Sequence, residues 1–154
     1  MSLEKAKKYL AEAGYLDRVI EPEESTATVP LAAMALGTTE GEIGKTLSFA
    51  VDGRAVLIVM KGDSRISNQK FKAQFHTKAK MLTYEQAEEL VGHEPGGVCP
   101  FGVNDGVTVY IDESLRQYEY VYPAAGNDHS GVKLTPDELF DISRAAGWVD
   151  VTKD

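Results

Sequence analysis

The stretch Gly44-Lys45-Thr46-Leu47-Ser48-Phe49-Ala50-Val51-Asp52-Gly53-Arg54-Ala55-Val56-Leu57-Ile58-Val59-Met60 decides the fold. From Thr46 to Val51 apolar and small polar residues alternate, which is the period of a half-buried strand. Asp52-Gly53 is a two-residue hairpin signal, because a type I′ turn needs positive φ at both central positions. The run Ala55–Met60 that follows is apolar throughout and reads as a strand buried on both faces. A hairpin forces antiparallel pairing, so the sheet is not doubly wound and parallel.

Outward from this hairpin, helical and strand signals are interspersed. Leu3, Ala6, Leu10 and Ala13 repeat at helical spacing before Gly14. Thr28 and Pro30 introduce a helix over Leu31–Leu36 ended by Gly37, and Thr39 with Glu42 forms a capping-box pattern. A helix around Asn68–Phe75 carries Phe71 and Phe75 at i, i+4, a spacing that pins it to a core. A short strand at Lys80–Leu82, a helix capped by Thr83 and Gln86 and stopped by Gly92, and strands at Val107–Ile111 and Tyr118–Tyr122 follow. Thr135-Pro136-Asp137-Glu138 opens a last helix, and Trp148–Val151 reads as a last strand. No linker or repeat divides the chain, so α+β with a mixed sheet in one domain, 1–154, is expected.

Composition narrows the function classes. The chain has 154 residues and a formal charge of −8, with one cysteine and three histidines. A lone cysteine builds neither a disulfide framework nor a cysteine zinc site, and the spacing of His76, His93 and His129 offers no metal site. No apolar run approaches the roughly 20 residues of a membrane span, and charged residues fill the first turns, so no membrane contact and a cytoplasmic location are expected. The negative charge argues against indiscriminate binding to DNA or RNA. It is unevenly spread, however. Between Lys61 and Lys80, six basic residues (Lys61, Arg65, Lys70, Lys72, Lys78 and Lys80) face only Asp63, giving +5 and leaving −13 on the other 134 residues. This segment reads either as a solvated helix face or as a local patch that meets phosphates.

Three features could carry chemistry. Lys45 shares the parity of Leu47, Phe49 and Val51, so its ammonium ends an apolar row, where it either snorkels to water or lines a pocket. Glu94-Pro95-Gly96-Gly97-Val98-Cys99-Pro100-Phe101-Gly102 combines turn-forming glycines with apolar residues, a combination that can aim backbone N–H groups at a ligand oxygen. Ala124-Ala125-Gly126-Asn127-Asp128-His129-Ser130-Gly131 is a second small-residue loop. Cys99 with His93 or His129 would be needed for a cysteine hydrolase, but a lone cysteine between Val and Pro reads more simply as a packed residue.

Taken in register, Gly44-Lys45-Thr46-Leu47, Gly96-Gly97-Val98-Cys99-Pro100-Phe101-Gly102, and Ala125-Gly126 followed by Leu134-Thr135-Pro136-Asp137-Glu138-Leu139 resemble the YbaK/prolyl-tRNA synthetase-associated editing-domain family over about 26–151. The resemblance implies a single α+β domain with a mixed, mostly antiparallel curved sheet flanked by helices. It implies a trans-acting deacylase that uses a positioned water and the substrate's ribose hydroxyl to hydrolyse mischarged tRNA, of the Ala- or Cys-tRNA(Pro) type, without a cofactor. In that reading Lys45 holds the acceptor end, Gly96 and Gly97 supply backbone groups to the reacting ester, and Val98, Cys99, Pro100, Gly126 and His129 line the aminoacyl pocket. Some members carry an acidic residue near the position of Gly131, where this chain offers His129 instead. Lys61, Arg65, Lys70 and Lys72 are the expected tRNA contacts, with an aminoacyl-tRNA synthetase as a further partner. The alternative is a non-catalytic module that binds a tRNA acceptor end or a nucleotide.

Overall fold

The computed structural model describes residues 2–93 and 97–154. Five α-helices and nine strands occur among them: α1 (Ser2–Glu12), β1 (Val19–Ile20), α2 (Val29–Leu36), β2 (Ile43–Val51), β3 (Arg54–Lys61), β4 (Arg65–Ile66), α3 (Asn68–Phe75), α4 (Tyr84–Val91), β5 (Thr108–Asp112), β6 (Tyr122–Pro123), β7 (Gly131–Val132), α5 (Pro136–Ile142), β8 (Gly147–Val149) and β9 (Thr152–Lys153). A curved sheet of order β6-β2-β3-β5-β8 forms the centre, with the small pairs β1-β7 and β4-β9 beside it.

The hairpin forms as its residues dictate. Asp52 (φ 51°) and Gly53 (φ 77°) make the turn, and eight residue pairs from Gly44↔Lys61 to Val51↔Arg54 zip β2 antiparallel to β3. The antiparallel character expected of the sheet resides in this ladder and in the two small pairs. The other three joins of the central sheet, β2 with β6, β3 with β5 and β5 with β8, are parallel. Parallel neighbours require long crossovers, and helices α3 and α4 supply the one from β3 to β5, as α5 does from β5 to β8.

Both faces of β3 are covered. Ala55, Leu57 and Val59 enter a large core with Leu10 of α1, Val91 of α4, Leu139 of α5 and Phe101. Val56 and Ile58 enter a second core with Phe49, Phe71, Val149 and Val151. Each buried Leu or Ile contributes about 1.5–3 kcal/mol over an exposed one. Helix α3 is pinned as its spacing predicts: the Phe71 ring lies 4.9 Å from Phe49 and 4.7 Å from Phe75, which meets Tyr110 edge-on at 5.2 Å.

Two expected strands are shorter than their apolar runs. The run ending at Val151 breaks because the Val151 N–H donates to the buried Asp112 carboxylate (2.9 Å) instead of a ladder, and the chain resumes as β9 with the Thr152 hydroxyl on the same carboxylate (2.9 Å). The strand expected from Tyr118 begins only at Tyr122, because the Tyr118 N–H closes a 3-10 turn onto the Leu115 carbonyl and Val121 bridges Leu134.

Candidate functional site

Strand β2 is covered on its outer edge at both ends and bare in between. Strand β6 pairs with Ile43 and Gly44 only. It approaches closely there, since a Cβ on Gly44 would meet Pro123 backbone and side-chain atoms at 3.3 Å. At the other end the segment 80–82 joins the edge: the Ala50 N–H donates to the Lys80 carbonyl (2.8 Å) and the Leu82 N–H to the Ser48 carbonyl (3.0 Å). Backbone groups alternate sides along a strand, so those of Thr46 face the same edge as those of Ser48 and Ala50. A cleft of about 250 Å³ opens in this gap. One wall is Ala32 and Leu36 of α2 with the 26–28 segment; the other is Leu82, Tyr84 and Ala87, and Val98, Ala124 and Ser130 also line the cleft.

Lys45 lines this cleft, half-buried, on the sheet face it shares with Leu47 and Phe49. Its Nζ donates to the carbonyl of Ser64 at 2.7 Å. An ammonium has three N–H donors, so two remain for a ligand. Burial pushes its pKa below the ordinary lysine value, and the nearby Asp63 carboxylate opposes that shift only in part. Asp63 itself pairs with Lys61 at 3.3 Å. Beside Lys45, Thr46 Oγ1 is buried in the cleft lining without a hydrogen-bond partner. Parity alone sends Thr46 to the opposite sheet face, and only the interrupted edge of β2 brings both residues to one opening.

The other expected site residues are dispersed. Gly96 lies outside the described residues. Gly97 is a packing glycine: a Cβ there would sit 2.4 Å from the carbonyl carbon and oxygen of Gly126 and 2.6 Å from Cα of Asn127. Gly126 (φ +99°) presses in turn against Ser2, whose carbonyl oxygen would lie 2.4 Å from an added Cβ. The two small-residue loops therefore clasp each other backbone to backbone, and of the four described residues from Gly97 to Pro100 only Val98 reaches the cleft.

Cys99, Pro100 and His129 also need correction. Cys99 is fully buried in the large core rather than in the pocket wall. Its Sγ lies 3.6 Å from His93 Nε2 and from the Phe101 carbonyl, and burial pushes the thiol pKa to about 12, so neither a lining role nor a thiolate nucleophile fits it. His93 is equally buried, and burial lowers its pKa; Nε2 meets the Phe101 carbonyl at 2.7 Å, which assigns the proton to that nitrogen. Pro100 sits on a separate hollow beside Tyr9 and Val103. His129 turns outward, with Nδ1 3.1 Å from the Glu24 carbonyl and Nε2 3.7 Å from Asp128, and leaves the cleft to its neighbour Ser130, whose hydroxyl accepts the Ala125 N–H at 3.0 Å.

Folding also changes the setting of the basic segment. Folding brings the acidic C-terminus onto it: Lys70 pairs with Asp150 (3.0 Å), Lys61 reaches Asp63 and Asp154 (3.9 Å), and Arg65 donates to the Asp154 backbone carbonyl (3.0 Å). The β4-β9 pairing holds this arrangement. Lys72, Lys78 and Lys80 are exposed and enter no ion pair among the described residues. Among those residues no helix is long and apolar enough to cross a membrane.

Comparison with known proteins agrees with this architecture. A family model described as an aminoacyl-tRNA editing domain matches residues 23–142. The YwhH protein of Bacillus subtilis (strain 168) is 41% identical over 155 residues, covering 100% of this chain and 99% of that protein. Proline--tRNA ligase of Geobacillus thermodenitrificans (strain NG80-2) is 30% identical over 147 residues, which cover 93% of this chain but 25% of the ligase. A crystal structure described as a candidate trans-editing enzyme for prolyl tRNA synthetase superposes with a TM-score of 0.89 at 30% identity, covering 99% of this chain and 98% of that one.

Proposed function

The chain belongs to the aminoacyl-tRNA editing domain family, and on that premise we propose that it is a trans-acting deacylase for mischarged tRNA, of the alanyl- or cysteinyl-tRNA(Pro) type. The observation that carries this reading is Lys45: a half-buried ammonium at the mouth of a small cleft, held by a carbonyl rather than a carboxylate, with two donors unspent. The cleft, at about 250 Å³, is smaller than the roughly 300–1,000 Å³ pockets that engulf drug-sized ligands. It suits a small aminoacyl group with the polynucleotide left outside. Its apolar walls exclude larger side chains by volume, a sharper criterion than the roughly 1–3 kcal/mol gained per extra methylene.

Lys45 holds the acceptor end beside the ester, and the Thr46 hydroxyl and the free backbone groups of the β2 edge orient the ester and a water. Water adds to the carbonyl carbon, the carbon–oxygen bond to the ribose breaks, and the departing ribose oxygen takes up the proton that water gives up. An ester requires little activation beyond positioning and stabilisation of the developing oxyanion.

The described lining contains no carboxylate, imidazole or thiol, so turnover would draw on a positioned water and the substrate's own ribose hydroxyl; the second reading is a module that binds the acceptor end through Lys45 without turnover. A panel of alanyl-tRNA(Pro), cysteinyl-tRNA(Pro), seryl-tRNA and prolyl-tRNA separates the two. Loss of ester from one or more members faster than in buffer supports the deacylase; saturable, salt-sensitive binding with no ester loss supports the module.

A further inference from the structure

A second hollow, on the same sheet face as Lys45, is lined by Asn68, Gln69, Lys72, Lys78 and Ala79. Its connection to the cleft follows from pairing. Met81 stands directly opposite Phe49, and opposed residues of antiparallel strands present their side chains to the same face. Phe49 has the parity of Leu47 and Lys45, so Met81, 54% exposed and part of the cleft lining, lies on the Lys45 face. Ala79 precedes Met81 by two residues and packs on the Phe49 core. The face thus runs from Lys45 over Met81 to Ala79 and the two lysines.

The charge of this track differs from that of the rest of the basic segment. Lys61, Arg65 and Lys70 are tied to Asp63, Asp150 and the Asp154 backbone, whereas Lys72 and Lys78 have no ion-pair partner among the described residues and no carboxylate among the hollow's lining. Amide side chains at Asn68 and Gln69 add neutral donors. Two cations without an ion-pair partner among the described residues and two amides, beside an apolar step at Met81, suit a polyanion with exposed bases.

Resting on the function proposed above, we infer that the single-stranded acceptor end of the RNA leaves the cleft across Met81 and sets a backbone phosphate into the hollow between Lys72 and Lys78. Phosphate contacts of this kind position a strand without reading its sequence. The hollow therefore acts on full-length substrate and leaves an aminoacyl-adenosine, which has no further phosphate, untouched.

The test compares Lys72→Ala/Lys78→Ala with the parent, and with a control, Lys8→Ala/Lys133→Ala, that removes equal charge outside the cleft and the hollow. Both exposed target lysines lie off the core, so the thermal midpoint stays that of the parent. Binding of an alanyl-minihelix with an amide in place of the ester is measured against salt. The expected result is a slope of log K against log salt shallower by roughly 0.7 in the double variant, the value for one single-strand phosphate neutralised, with the control unchanged. KM for alanyl-tRNA(Pro) rises about tenfold or more with kcat retained, and alanyl-adenosine is cleaved at the parental rate. A slope and KM equal to the parent's, or an equal effect of the control, overturns the inference. So does binding of poly-glutamate as tight as that of the minihelix. If the parent binds the minihelix through these lysines but cleaves nothing, the deacylase reading falls and the track stands. If cleavage is normal and the double variant matches the parent, the track falls alone.

Discussion

Replacing Lys45 with methionine separates the chemical value of its charge from its structural value. The methionine keeps an unbranched stem on the face shared with Leu47 and removes the ammonium. Two structural effects oppose each other. The carbonyl of Ser64, on a residue only 2% exposed, loses its Lys45 donor, which costs about 1–3 kcal/mol. At the same time the standing cost of burying an ammonium, visible in the lowered Lys45 pKa, disappears. The net change stays within about 1.5 kcal/mol, and at roughly 2–4 °C per kcal/mol for a chain of this size the thermal midpoint moves by less than about 6 °C. The alkaline limb gives a second signature. The folded state holds the Lys45 proton less tightly than the unfolded state, so just below the ordinary value of 10.5 the unfolded chain binds more protons and stability rises with pH. Lys45→Met abolishes that part of the rise. Deacylation behaves differently, because removal of a preorganised donor at a reacting centre costs about 10²–10³ in rate. Single-turnover hydrolysis of alanyl-tRNA(Pro), run beside a thermal melt, reads both quantities. A variant within threefold of the parental rate refutes the role given to Lys45, and one that fails to fold refutes the energy balance.

The remaining predictions concern the support behind the cleft. Native Cys99, with its thiol pushed up to about 12, resists iodoacetamide at pH 8 and reacts once urea unfolds the chain, and Cys99→Ala deacylates at the parental rate; labelling of the folded protein would contradict its burial. Gly97→Ala drives a methyl against the Gly126 carbonyl at 2.4 Å, where backbone cannot yield, so the urea midpoint drops by the equivalent of about 1–3 kcal/mol or more. His93 is held neutral by burial, so the unfolded state binds more protons as pH falls below about 6.5, and stability drops in that direction. In His93→Phe the difference in urea midpoint between pH 7 and pH 5 shrinks; an unchanged difference would place the acid sensitivity elsewhere.

The elements legible in the sequence are those whose signals are local. Asp52-Gly53 made the hairpin, Thr28 with Pro30, Thr83 with Gln86 and Thr135 with Glu138 capped α2, α4 and α5, and Phe71 with Phe75 seated α3. The parallel joins of β5, β6 and β8 were not legible, since they depend on which strand a crossover returns to. Within the site, Lys45 was visible through strand parity and Val98 through its place in a glycine loop. Thr46 was not, because its access to the cleft arises from a gap in edge pairing that no periodicity records. Cys99, Pro100 and His129 were misplaced for one reason: a loop rich in glycine has no period from which to infer which side chains face in.

Charge follows the same logic. A window of sequence assigned +5 to residues 61–80, and that sum holds only if nothing distant folds onto it. Asp112 accepts the Val151 N–H and the Thr152 hydroxyl, and so draws the C-terminal segment across the sheet, placing Asp150 on Lys70 and Asp154 beside Lys61 and Arg65. The cations left over among the described residues are Lys72, Lys78 and Lys80, of which Lys72 and Lys78 line the hollow beside Ala79. A buried carboxylate at the end of β5 therefore sets which part of the basic segment is free to meet phosphate. It also follows that Asp112→Asn, which keeps the shape but loses the charge that holds Val151 and Thr152, should loosen Asp150 and Asp154 and raise the salt dependence of RNA binding as Lys61, Arg65 and Lys70 become available. Titration of the amide-linked minihelix against salt measures this; a slope no steeper than the parent's would show that the C-terminal acids do not mask those three cations.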